Sequence, residues 1–108
     1  MKTFQLMKDW DFHASSAYAQ PLLVTGDNRV LRFTLRPGQI VKDHMAPHSP
    51  VNIVVLSGEG MFTGADGNEM LFGPNTLAIF ETGEHHSIRA LKGDLVFVAF
   101  LNGAPGYE

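Results

Sequence analysis

Short apolar runs, many of them alternating with polar residues, recur along this chain and are separated by turn residues. Side chains of an extended strand point alternately to its two faces, so this spacing predicts strands with a buried face. Runs at 21–25, 29–35, 40–43, 51–57, 61–63, 69–72, 76–80, 87–91 and 95–101 fit the pattern. Within 29–35, Leu31, Phe33 and Leu35 share one face, and Arg32 and Thr34 share the other. Gly26-Asp27-Asn28, Pro37-Gly38, Gly58-Glu59-Gly60, Gly73-Pro74-Asn75 and Lys92-Gly93-Asp94 punctuate the runs as turns. "GADGN", between 61–63 and 69–72, marks a hairpin. Short strands at such intervals predict an all-β barrel or sandwich. One helical pattern is expected, over 8–17.

Two runs do not alternate. "LVFVAFL" at 95–101 and "LAIF" at 77–80 are apolar on both faces. A strand of this kind must be covered on both sides. Either the N-terminal segment folds over it or a second subunit does. A homodimer is the expectation.

Composition narrows the class. A chain of 108 residues supports one core. We read 1–108 as a single domain, with 1–20 an N-terminal extension and the barrel at about 21–103. Hydrophobic residues at 44% and charged residues at 18% describe a globular chain. The net charge of −3, without a basic cluster, argues against a nucleic-acid partner. No apolar run reaches membrane-spanning length, and the N-terminus lacks a signal-peptide pattern, so a cytoplasmic protein is expected. The absence of cysteine removes disulfides, thiolate nucleophiles and thiolate-held zinc. Any metal must take histidine, carboxylate, amide or water ligands. No phosphate-binding glycine loop and no nucleophile elbow are present.

Histidines are the remaining candidate chemistry. "GQIVKDHMAPHSP" carries His44 and His48, and "ETGEHHSIRA" carries His85 and His86. "RPGQIVKDHMAPHSPVNIVVLSGEGMF" followed by "FGPNTLAIFETGEHHSIRAL" resembles the two motifs of the cupin superfamily over roughly residues 30–101. Gly38, five residues and His44 match the opening of the first motif, and Gly58 its closing glycine. Gly83 and His86 match the end of the second. The resemblance implies a single-domain cupin-type β-barrel, a double-stranded β-helix or jelly roll. It also departs from the pattern. The second histidine of the family's pair falls on Ala46, the glutamate on Val51, the proline of the second motif on Glu81 and its first glycine on Asn75. Of four family metal positions, His44 and His86 remain.

The family's barrels hold iron, manganese, nickel or zinc, and run dioxygenase, isomerase or decarboxylase reactions or only bind ligands. Here the resemblance implies a divalent transition metal (Zn, Ni, Fe or Mn), a small-molecule ligand, or both, held by His44 and His86. Neutral imidazole suits such metals. His48, between Pro47 and Pro50, either swings in as a third ligand or is an exposed loop residue. The alternative is a metal-free ligand-binding or sensory module, with His44 and His86 as hydrogen-bonded interior histidines. No residue is assigned a catalytic role, and enzyme activity stays open. Phe33, Met45, Val51, Met61, Phe80 and Phe97 are expected to line the pocket. His85 should point away from His86, and Glu81 and Glu84 read as solvated turn residues.

Overall fold

Nine strands make up the regular structure of this computed structural model, which describes residues 1–103. They are β1 (Tyr18–Val24), β2 (Asn28–Leu35), β3 (Ile40–His44), β4 (Val51–Ser57), β5 (Gly60–Thr63), β6 (Glu69–Phe72), β7 (Leu77–Phe80), β8 (His86–Ala90) and β9 (Leu95–Asn102). Every run read from the sequence forms a strand. β1 starts earlier than expected and carries Pro21, which its edge position tolerates because one side of the strand needs no backbone donors.

The strands form two antiparallel sheets, ordered β1-β2-β9-β4-β7 and β3-β8-β5-β6. Their inner faces meet in one core that includes Leu35, Ile53, Val55, Phe62, Ile88 and Phe97. Phe97 centres it, stacked on Phe33 at 4.8 Å and edge-on to Phe62 at 6.1 Å. Gly58 closes the turn after β4. Its φ of +79° and its approach to the Asp94 backbone leave no room for a Cβ. The family glycine at this position thus has two independent physical causes.

No helix forms at 8–17, contrary to expectation. The backbone carbonyls there are already engaged. Buried Arg32 donates to the carbonyls of Leu6, Lys8 and Asp9 and to the Gln20 side chain, and Thr34 donates to the Asp11 carbonyl. Asp9 also takes a positive φ of 57°. A run rich in Asp, Ser, His and aromatics has little intrinsic drive to resist. Gln39 donates to the His13 carbonyl, and the Arg36 guanidinium lies 4.3 Å over the Phe12 ring.

The N-terminal segment therefore runs as an extended strap across the outer face of the larger sheet. Val96 and Val98, the outward residues of β9, are 0% and 1% exposed within the single chain. Part of that face stays bare: Leu77 is 59%, Ile79 60% and Phe100 40% exposed. Among the described residues, no helix is long and apolar enough to cross a membrane.

Candidate functional site

Four inward rows cross the larger sheet. Arg29 opposes Leu101, Val51 opposes Phe80, and Leu101 lies one residue beyond the Asn52–Phe100 pair, so these four share a row at the barrel mouth. The next row holds Leu31, Ala99, Ile53 and Ala78. Deeper lie Phe33, Phe97 and Val55, and then Leu35 and Leu95. The small side chain of Ala99 in the second row leaves space beneath the mouth. A cavity of about 240 Å³ fills it, walled mainly by Leu31, Phe33, Ile53, Ile88, Phe97 and Ala99.

The smaller sheet supplies the imidazoles. His44 and His86 are paired across β3 and β8, with ring centroids 4.3 Å apart, and both line the cavity. In a regular strand His44 would face opposite to Val41, three residues earlier. The register shifts between these two residues, and that bulge turns His44 inward with Val41. His86 is 2% exposed, whereas His44 is exposed at the mouth. Phe80 lies flat on His86, centroids 4.3 Å apart and planes 9° apart.

Each ring is oriented by a carbonyl two residues earlier. Nδ1 of His44 is 2.9 Å from the Lys42 oxygen, and Nδ1 of His86 is 3.0 Å from the Glu84 oxygen. A carbonyl only accepts, so in the neutral ring each Nδ1 carries the proton and each Nε2 keeps its lone pair. The same arrangement orients histidines that bind metals. Burial holds the His86 pKa below its ordinary value, against the opposing pull of the Glu84 carbonyl and with the field of His44 adding to it. The neutral ring is thereby favoured.

The turn before His86 is tied down on both sides. Gly83, with φ +78°, donates its N–H to the Ala46 carbonyl at 2.8 Å. The Glu84 carboxylate accepts N–H bonds from Ala65 and Glu81, which hold its pKa below the usual carboxylate range. Glu84 is thus a brace between two turns rather than a merely solvated residue. Ser49, 2% exposed, anchors the β3–β4 loop by accepting from the Asn102 N–H.

The expected site residues separate into groups. His44, His86, Phe33, Met45, Val51 and Phe97 all line the cavity. Phe80 does not line it and instead backs His86. Met61 alternates outward on β5, between inward Gly60 and Phe62, and is not in the wall. His48 is exposed in the β3–β4 loop and is also absent from the wall. His85 points outward to Asp43, 3.4 Å away.

Two imidazoles are fewer protein ligands than the three of a catalytic zinc site or the four of a structural one. Among the described residues, no group of three or more His, Asp or Glu side chains is placed to hold a metal ion. Val51, where the family has glutamate, is buried and apolar. The donor set therefore fits a metal only if water or a ligand completes the coordination. Sequence reading missed Arg29 as a cavity residue. The signal was present: Arg29 precedes Leu31, Phe33 and Leu35 in the same alternation.

Comparison with known proteins places this geometry. The cupin-domain family model matches residues 31–100. A conserved double-stranded β-helix protein from Klebsiella pneumoniae superposes with a TM-score of 0.88 at 21% identity, covering 97% of this chain and 92% of that one. An RmlC-like cupin from Desulfovibrio desulfuricans gives 0.82 at 24% identity, with 93% and 95% covered. A protein from Thermotoga maritima described as a predicted oxalate decarboxylase gives 0.65 at 28% identity, with 72% and 68% covered. No curated protein matches the sequence.

Proposed function

The chain belongs to the cupin family, and from that premise we propose that its barrel binds a small molecule against the paired imidazoles of His44 and His86. The observation that carries this reading is the cavity itself. Two imidazole nitrogens at the mouth face an otherwise largely apolar space of about 240 Å³. Binding pockets combine apolar walls with a few polar groups in this way. The test is a titration of the isotope-labelled protein with small aromatic and aliphatic compounds, followed by NMR. Resonances of Ile53, Ile88, Phe97, His44 and His86 should move together. Shifts confined to the outer surface would refute the reading.

A second reading is favoured by the matched Nδ1–carbonyl bonds, which aim two Nε2 lone pairs from neighbouring rings. A divalent zinc, nickel, iron or manganese ion bound there would use His44 and His86, with water, the ligand or a repositioned His48 completing its shell. Elemental analysis of tag-free protein and zinc or nickel calorimetry test it. His44→Ala and His86→Ala should each abolish uptake, and His85→Ala should not. Equal effects from all three would place the ion elsewhere.

A homodimer is part of the same proposal. Leu77, Ile79 and Phe100 form a bare apolar area on the outer face of the larger sheet, beside the unpaired edge of β7.

A further inference from the structure

The two imidazoles offer the cavity one kind of hydrogen-bonding group. Nδ1 of His44 faces the Lys42 carbonyl at 2.9 Å, and Nδ1 of His86 faces the Glu84 carbonyl at 3.0 Å. Each Nδ1 is the donor of its neutral ring, so each Nε2 is left as an acceptor. Both rings line the cavity, but their surroundings differ. His44 is exposed at the mouth, where water reaches it, whereas His86 is 2% exposed. Arg29, the third polar lining residue, already has an interaction partner. No Asp, Glu, Asn, Gln, Ser or Thr side chain stands among the described lining residues. The rest of the wall is apolar and includes the stacked rings of Phe33 and Phe97, 4.8 Å apart. A buried acceptor that looks into such a space needs a donor, and a molecule that fills the space must bring it.

We propose that the ligand of this cavity is a small neutral ring carrying a hydroxyl, of the phenol class, whose O–H donates to Nε2 of His86 and whose ring lies against Phe97. This rests on the small-molecule reading above and adds the chemical class of the ligand. A cavity of about 150 Å³ accommodates benzene, so one of about 240 Å³ suits a single substituted ring. Aromatic side chains in the wall favour a ring over a chain. His86 is a specificity determinant in this arrangement. An ether of similar shape turns its oxygen lone pairs toward the Nε2 lone pair and leaves the buried acceptor unmet.

The test compares phenol with anisole and toluene by NMR titration of the metal-free full chain at about pH 8, where phenol and both imidazoles are neutral. The Ile53, Ile88 and Phe97 resonances report occupancy of the cavity. Anisole and toluene are the more apolar compounds, so burial alone favours them. Phenol should nevertheless bind about tenfold more tightly than either, as expected for one hydrogen bond to a buried acceptor. His86→Phe keeps a flat ring beside Phe80 and removes the acceptor, so phenol should lose its advantage. Phenol binding no more tightly than anisole to the parent protein would overturn the hydroxyl assignment while leaving the cavity reading intact. A phenol preference that survives in His86→Phe would overturn the role of His86. Failure of all three compounds to move the cavity resonances would overturn both readings. The comparison in the parent protein needs no variant, so it decides the ligand class even if His86→Phe does not fold.

Discussion

His44 and His86 stand directly opposite each other across β3 and β8, and each is oriented by the carbonyl two residues before it. One tautomer follows for both rings. Above neutral pH, long-range nitrogen–proton NMR should show Nδ1–H and a bare Nε2 in each. Nε2–H in either ring would remove the paired lone pairs from the proposed site. Zinc, if bound, should shift the Nε2 resonances and not the Nδ1 resonances.

The depressed pKa of His86 makes stability depend on pH. Above about 6.5 the ring is neutral in both folded and unfolded chains and contributes no slope. As pH falls below that value, the unfolded chain binds a proton that the folded site resists. Stability should decline through this window and level off once pH passes the folded pKa. Urea unfolding of the metal-free protein between about pH 8 and about pH 5 measures it. His86→Gln should flatten this part of the profile, and an unchanged slope would show that His86 is not its source. The Glu84 carboxylate, with its pKa held down by N–H bonds from Ala65 and Glu81, should stabilise above its ordinary range and lose that contribution at more acidic pH.

Val51 faces the cavity together with both histidines, at the position of the family glutamate. Val51→Glu should add an oxygen ligand and convert a two-donor site into a three-donor one. Without metal, the buried carboxylate should cost a few kcal/mol, roughly, or take up a proton. Zinc or manganese should restore stability, because an ion that binds only the folded state shifts the equilibrium toward it. Thermal unfolding of parent and variant, with and without metal, is the measurement. Identical metal responses would mean that Val51 does not share the imidazole site.

Arg32 fastens the N-terminal strap through the carbonyls of Leu6, Lys8 and Asp9. Arg32→Met should destabilise the fold by about 2–4 kcal/mol, because several charge-assisted bonds disappear together. It should also free the backbone at Lys8, whose carbonyl Arg32 holds, and so speed tryptic cleavage there before the barrel unfolds. Cleavage at the parent's rate would show that the strap is held by its apolar contacts instead.

The bare face at Leu77, Ile79 and Phe100 should bring two copies together. Sedimentation equilibrium at micromolar concentration should report a dimer for the parent and a folded monomer for Ile79→Arg. A monomeric parent would leave the strap as the sole cover of that sheet.

The strand plan was determined by the sequence alone. Alternation and turn residues depend on local chemistry, so all nine runs were legible, as were Gly58 and the inward placement of Phe33, Val51 and Phe97. His44 and His86 could be nominated because Gly38, five residues and His44, and Gly83, two residues and His86, resemble the two family motifs. Their meeting was a tertiary decision. It needs the bulge between Val41 and His44, which appears only when β3 is paired with β8 and one strand carries an extra residue. The 8–17 segment was misread for a related reason. Its carbonyls are claimed by Arg32 and Thr34, side chains more than twenty residues away, and no local pattern records such partners. Arg29 shows the boundary between the two sources. Its side of the strand was written in the alternation, but only the closure of the two sheets placed that charge across a cavity from two imidazoles.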